Sequence, residues 1–236
     1  MTDASAGWSG AGEDRGAGRW RVIHAVAAFG AGVLASLIAA AAVWSGGVSV
    51  FETFAVVGTA QTLVTIGVVA LLRRAPGRAP LNLHPAPADA LGLLIGAGLA
   101  IGVSFVTYAV LQLVGVEVPE QSVAQIADEA VGIATQAAVV ITAVLLAPLA
   151  EELVFRGVLL RALQDRFSAR VSGLISAAAF ALVHLALDPM AWAAVPALFV
   201  AGLVLAALVQ HSGRLALAVI THAGFNLVGV VMLLVA

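Results

Sequence analysis

The 236-residue sequence contains no cysteine and no lysine, and only 10% of its residues are charged. The absence of cysteine excludes disulfides, thiol nucleophiles and thiolate metal sites. A typical soluble domain carries about 25% charged residues, so this chain lacks the polar groups to cover a soluble surface. The formal net charge of −2 provides no basic field, and we therefore expect no nucleic-acid partner.

Apolar residues make up 62% of the chain, and the mean hydropathy is +1.08. They recur in stretches close to the ~20 residues that a helix needs to cross ~30 Å of hydrocarbon. This pattern predicts an all-α, polytopic transmembrane helix bundle of about seven spans in the lipid bilayer of the cell membrane. The predicted spans are 21–45, 52–72, 89–115, 131–155, 170–187, 190–210 and 214–235.

The remaining segments fit this division. Residues 1–19 are rich in glycine, alanine and serine and contain no apolar run, which predicts a disordered cytoplasmic tail. Residues 20–236 are predicted to form a single transmembrane domain. The first apolar run exceeds the 7–15 residues usual in a signal peptide, so we expect a retained anchor rather than a cleaved signal.

The arginines indicate the orientation. With seven spans, one side of the membrane receives the N-terminal tail and the loops 73–88, 156–170 and 211–214. All the arginines fall in these segments: Arg15, Arg19, Arg21, Arg73, Arg74, Arg78, Arg156, Arg161, Arg166, Arg170 and Arg214. The other side has only acids: Glu117, Glu120, Asp128, Glu129 and Asp188. By the positive-inside rule, the arginine side and the N-terminus are cytoplasmic.

The fourth apolar run ends in two adjacent carboxylates, Glu151 and Glu152. An ionised side chain at mid-bilayer costs at least ~2.5–3.5 kcal/mol, so the pair needs either water at the membrane edge or a function. Glu152 and Arg156 are four residues apart, on one helix face and in the favourable acid-first order. Glu151 is rotated by about 100° from Glu152. We therefore expect one paired glutamate and one that faces a cavity.

Two later spans carry further polar residues. The fifth contains His184 four residues after Phe180, and the seventh contains His222 four residues before Asn226. With Arg161, Arg170 and Arg214 as surface markers and a rise of ~1.5 Å per residue, Glu151, both histidines and Asn226 lie roughly 12–21 Å deep. An isolated intramembrane histidine is usually structural. Three helices carrying such residues at similar depth predict one shared site.

These three motifs resemble the CPBP family of intramembrane proteases. They are Glu151-Glu152-x-x-x-Arg156, Phe180-x-x-x-His184 and His222-x-x-x-Asn226, in this order on successive helices. The family includes type II CAAX prenyl endopeptidases and bacterial bacteriocin-processing and self-immunity proteins. The resemblance covers roughly residues 138–232.

The resemblance implies an endopeptidase that hydrolyses a peptide bond of a membrane-associated peptide or protein. It implies that Glu151 and His184 activate a water, that His222 and Asn226 bind the oxyanion, and that Glu152, Arg156 and Phe180 support the site. This chemistry requires no metal or other cofactor. The alternative is a zinc protease with His184, His222 and Glu151 as ligands, although the sequence lacks His-Glu-x-x-His.

A non-catalytic immunity protein, adaptor or transporter remains a further alternative. Such a protein would use the same polar cluster for a partner or an ion. Transporters more often show repeated halves with broken helices in both, and the sequence shows neither.

Overall fold

The computed structural model describes residues 19–44, 50–116 and 133–235, and in these ranges the chain is helical, with no strand. The predicted tail, apart from Arg19, lies outside the described residues, as do the acids Glu117, Glu120, Asp128 and Glu129. The first three long helices are α1 (Val22–Trp44), α2 (Val50–Arg73) and α3 (Leu91–Leu113), the last preceded by a 3₁₀ turn (Pro87–Ala90). The later ones are α4 (133–164), α5 (Ala169–Leu187), α6 (Val195–Ser212) and α7 (Leu215–Val235), with a second 3₁₀ turn (Pro189–Ala194) before α6.

In this described part of the chain, seven helices are long and apolar enough to cross a membrane. The predicted all-α fold with about seven spans is therefore confirmed. Apolar runs form helices because lipid offers no partner for backbone N–H and C=O groups, and a helix satisfies them internally. The turns match the sequence as well. Asp188 caps the second 3₁₀ turn by accepting from the Met190 N–H at 3.0 Å, and Gly213 ends α6 with φ at +68°.

The fourth span differs from its prediction. It was predicted to end at 155, with Arg156 and Arg161 in a cytoplasmic loop, but α4 continues to Gln164. Both arginines are buried. Arg156 pairs with Glu152, and the Arg161 Nη1 donates to the Pro80 carbonyl at 2.6 Å. These protein acceptors replace water around the charges, so the helix continues through positions that composition alone assigns to a loop.

Helix α4 is not a uniform α-helix. Its α-helical segments are Ile133–Val140, Ala147–Glu152 and Leu160–Gln164, and they are separated by π-helical segments at Ile141–Leu146 and Leu153–Leu159. The first π segment ends where Ala147 donates its N–H to the Thr142 carbonyl, five residues back. Pro148 follows and has no N–H to donate. The two π segments flank the Glu151–Glu152 pair. Short π segments inside α-helices are frequently found at functional sites.

Helix α4 lies in the centre of the bundle and packs against α1, α2, α5, α6 and α7. The other helices pair as α1 with α2, α3 with α7, and α5 with α6. The α3–α7 pair is close because Gly96 lies against the Thr221 carbonyl and Gly224 against the Leu93 backbone. A Cβ at either glycine would overlap the facing backbone, so these glycines set the position of α7 next to α4.

Candidate active site

The Glu151 carboxylate lies between two histidines from different helices. Its Oε2 is 3.9 Å from the His184 Nε2 on α5 and 3.7 Å from the His222 Nε2 on α7. This oxygen is buried and accepts no hydrogen bond from the described residues, while the whole side chain is 24% exposed. The Glu151 side chain is thus partly exposed, and the expectation that it faces a cavity stays a prediction.

Glu152 is fully buried and has two partners on one oxygen. Its Oε1 accepts from the Arg156 Nη1 at 2.6 Å and from the His222 Nδ1 at 3.0 Å. The pairing with Arg156 follows the predicted four-residue spacing. The contact with His222 was not predicted, because the two residues are 70 positions apart and no sequence signal joins them.

The Arg156 guanidinium is held from several directions. Its Nη2 donates to the Gly202 carbonyl on α6 at 3.1 Å, and its Cζ lies 4.6 Å from the centroid of the Phe180 ring. Gly202 is also closely packed: an added Cβ would lie 3.0 Å from Ala177 on α5 and 3.3 Å from Nη2. Arg156 therefore joins α4, α5 and α6, a role that its position in the sequence does not reveal.

Phe180 contacts both histidines. Its ring is buried and makes edge contacts with His184 at 4.6 Å and His222 at 5.5 Å between centroids. The ring forms an apolar wall beside both imidazoles, and the supporting role of Phe180 stays a prediction. The wall restricts the rotation of both imidazoles, and it shields one side of the Glu152–Arg156 pair from water.

The hydrogen bonds determine where each histidine carries its proton. The His184 Nδ1 lies 2.8 Å from the Phe180 carbonyl, which can only accept, so Nδ1 is protonated. The His222 Nδ1 faces the Glu152 carboxylate and is protonated for the same reason. In the neutral form of either histidine, the Nε2 that faces Glu151 therefore carries a lone pair.

The Asn226 amide binds a backbone carbonyl on α4. Its Nδ2 donates to the Ala143 carbonyl at 2.8 Å. In a π register the N–H of residue 148 would bond to this carbonyl, but residue 148 is proline, and Ala147 donates to Thr142 instead. Asn226 thus satisfies a carbonyl that Pro148 leaves without a backbone donor. The second N–H of the same amide remains available.

No group of three or more histidine, aspartate or glutamate side chains in the described ranges is placed to hold a metal ion. Tetrahedral zinc with ligand bonds of ~2.0–2.1 Å brings its ligand atoms to about 3.4 Å from one another. The two Glu151–histidine separations are longer, at 3.7 and 3.9 Å. A zinc ion held by Glu151 and both histidines would require these side chains to move closer together; the zinc site stays an alternative, and we derive no step through a metal.

Comparison with known proteins agrees with the three motifs. Residues 133–228 match the family model of the type II CAAX prenyl endopeptidase Rce1-like proteins. The resemblance to the CPBP family is thereby confirmed over this segment, which contains every residue of the site described above. No curated protein and no solved structure matches the chain.

Proposed function

We propose, from the similarity of residues 133–228 to CAAX-type intramembrane proteases, that the chain hydrolyses a peptide bond within the cell membrane. The family match and the seven apolar helices together indicate an integral membrane protein with a peptidase kind of activity. The observation that carries the finer proposal is the convergence of two histidine Nε2 atoms on one oxygen of Glu151. That arrangement suits the activation of water by general base catalysis.

In the proposed first step, Glu151 and His184 hold the water. The separation of 3.9 Å between Oε2 and Nε2 leaves room for a water about 2.8 Å from each, to which it donates one hydrogen apiece. The water oxygen attacks the scissile carbonyl carbon and its proton passes to Glu151. The resulting tetrahedral intermediate collapses when the C–N bond breaks, and Glu151 passes its proton to the leaving amine.

His222 and Asn226 are proposed to stabilise the oxyanion of the tetrahedral intermediate. Since the His222 Nδ1–H already donates to Glu152, His222 can donate from Nε2 only as the imidazolium. Because Glu152 is already paired with Arg156, the imidazolium charge is balanced by Glu151 before the attack and by the oxyanion after Glu151 takes up the proton. Asn226 would contribute its second N–H while the first remains on Ala143.

An apolar cavity lined by two of the helices that carry the site supports a membrane-associated peptide or protein as the substrate. It has a volume of about 570 Å³ and lies between α3, the first π segment of α4 and α7. Its wall includes Val144 on α4 and Ala223 on α7, the latter adjacent to His222 in the chain. A cavity with so few polar groups favours an apolar stretch of a substrate that approaches from the lipid.

The proposal is tested by identifying cleaved proteins. Membrane fractions from cells that express the wild type and cells that express Glu151→Gln are compared for new protein N-termini. We expect a set of peptides with cleaved ends only in the wild type, and the same cleavage by the purified protein in liposomes. Identical termini in both samples, with both proteins folded, would contradict the protease and favour the non-catalytic alternative.

A further inference from the structure

A cavity outside the catalytic site lies between the start of α1 and the end of α4. Its volume is about 420 Å³, within the size range of small-ligand sites. The lining combines arginines with apolar side chains: Arg19, Trp20, Arg21, Val22, Ile23, Ala162, Asp165 and Arg166. Neither the motifs nor the proposed peptidase mechanism uses any of them.

The charge of this cavity is positive. Three arginines face a single acid, and the Arg19 Nε is 4.0 Å from the Asp165 Oδ2, at the outer limit of an ion pair. Arg21 and Arg166 are exposed, and within the described ranges their side chains form no salt bridge. The lining therefore has two positive charges that no described carboxylate neutralises, which favours an anionic ligand.

The cavity lies at the ends of two spans. The apolar span of α1 starts at Val22, and that of α4 ends at Gln164. A bilayer places its phosphate groups just outside the hydrocarbon, at the level where such spans end. Arg21 and Arg166 are each within two residues of these limits, so their guanidinium groups are at the level of the lipid phosphates.

The apolar part of the lining is placed for lipid tails. Val22 and Ile23 are exposed, by 41% and 59%, and they begin the membrane-spanning part of α1. Trp20 is buried and fixed: its Nε1 donates to the Ala79 carbonyl, and the Arg78 guanidinium lies 5.0 Å from its ring centroid. A cavity that combines arginines with exposed apolar side chains is better suited to an anion with an apolar tail than to free phosphate.

We propose that this cavity binds the headgroup of an anionic phospholipid. Its phosphate lies against Arg21 and Arg166, and its acyl chains run along Val22 and Ile23. Arginine presents paired N–H donors that suit phosphate oxygens. The lipid would join α1 to the end of α4, the helix that carries Glu151 and Glu152.

The test measures lipid binding to the purified full chain in detergent by native mass spectrometry. Phosphatidylglycerol is compared with phosphatidylcholine of the same chain length. We expect phosphatidylglycerol to bind at least tenfold more tightly, and the double variant R21Q/R166Q to lose this binding by about 30-fold. That loss corresponds to about 2 kcal/mol, at ~1 kcal/mol per arginine near the surface and 1.4 kcal/mol per tenfold.

The control is R73Q/R74Q, which removes the same charge from the exposed end of α2 and should change the affinity less than twofold. Asp165→Asn supplies a gain that misfolding cannot produce, because it removes the opposing charge and should tighten phosphatidylglycerol binding. Any of four results would overturn the proposal. These are equal binding of the two lipids, an equal loss of affinity in the R73Q/R74Q control, no gain in Asp165→Asn, and displacement of the lipid by millimolar inorganic phosphate.

Discussion

At the scale of single residues, the two adjacent glutamates have different surroundings. Glu152 is fully buried and accepts from Arg156 and His222, whereas the Glu151 side chain is partly exposed beside two histidine Nε2 atoms. Each carboxylate has one oxygen, Oε2, that accepts from none of the described residues, but the Oε2 of Glu151 is the one that faces two imidazole Nε2 atoms. We therefore assign proton transfer to Glu151 and positioning to Glu152.

This difference predicts opposite results for two conservative substitutions. Glu152→Gln removes the negative charge beside buried Arg156, and breaking such a buried pair costs about 3–5 kcal/mol. Glu151→Gln leaves that pair intact, so we expect a protein of near wild-type stability without activity. Thermal unfolding in detergent and peptide cleavage measure the two quantities. Equal stability of both variants would show that the roles are wrongly assigned.

Metal dependence is decided by the same residues. If Glu151 and His184 activate water directly, activity should survive chelation and dialysis, and the purified protein should contain far less than one zinc per chain. Elemental analysis and an activity assay before and after chelation measure this. Stoichiometric zinc that is lost in His184→Ala, together with activity restored by added zinc in the chelated wild type, would establish the metalloprotease alternative.

At the scale of elements, α4 has a π segment and a proline directly before the glutamates. Pro148 and the π register leave the Ala143 carbonyl without a backbone donor, and the Asn226 side chain on α7 donates to it. A side chain from one helix thus completes the hydrogen bonds of another. Because both glutamates follow within four residues of Pro148, this contact helps to position them relative to His222.

The role of Asn226 predicts an interaction between two substitutions. Asn226→Leu removes the donor to a carbonyl next to a buried segment, and we expect a loss of about 1–3 kcal/mol. Pro148→Ala restores a backbone N–H, so Asn226→Leu should cost less in that background. A double-mutant cycle of unfolding free energies measures the coupling. Strictly additive effects would mean that Asn226 does not compensate for Pro148.

At the scale of the whole molecule, the seven spans and the distribution of arginines predict the topology. Reporter fusions at positions 80, 123, 165 and 236 should report cytoplasm, exterior, cytoplasm and exterior. The burial of Arg156 and Arg161 removes two arginines from the charge count, but Arg166 and Arg170 still mark the same side. A cytoplasmic signal at position 236 would refute an odd number of spans.

The sequence by itself determined the helical class and the number of spans, and its motifs named the residues of the candidate site. Long apolar runs have only one stable backbone arrangement in lipid, so composition is sufficient to predict helices. The pairing of Glu152 with Arg156 was also accessible, because it depends on a spacing within one helix. In each case the physical cause is local in the chain.

Only the tertiary structure decided what lies beside these residues. The contact of His222 with Glu152, the Gly202 carbonyl that holds Arg156, and the Ala143 carbonyl that engages Asn226 all join different helices. The end of α4 was mispredicted for the same reason: Arg156 and Arg161 have acceptors from distant segments, and composition does not reveal them. A charged side chain is stable inside a helix bundle when other helices provide hydrogen-bond or ion-pair partners, and the packing of the helices decides which partners lie nearby.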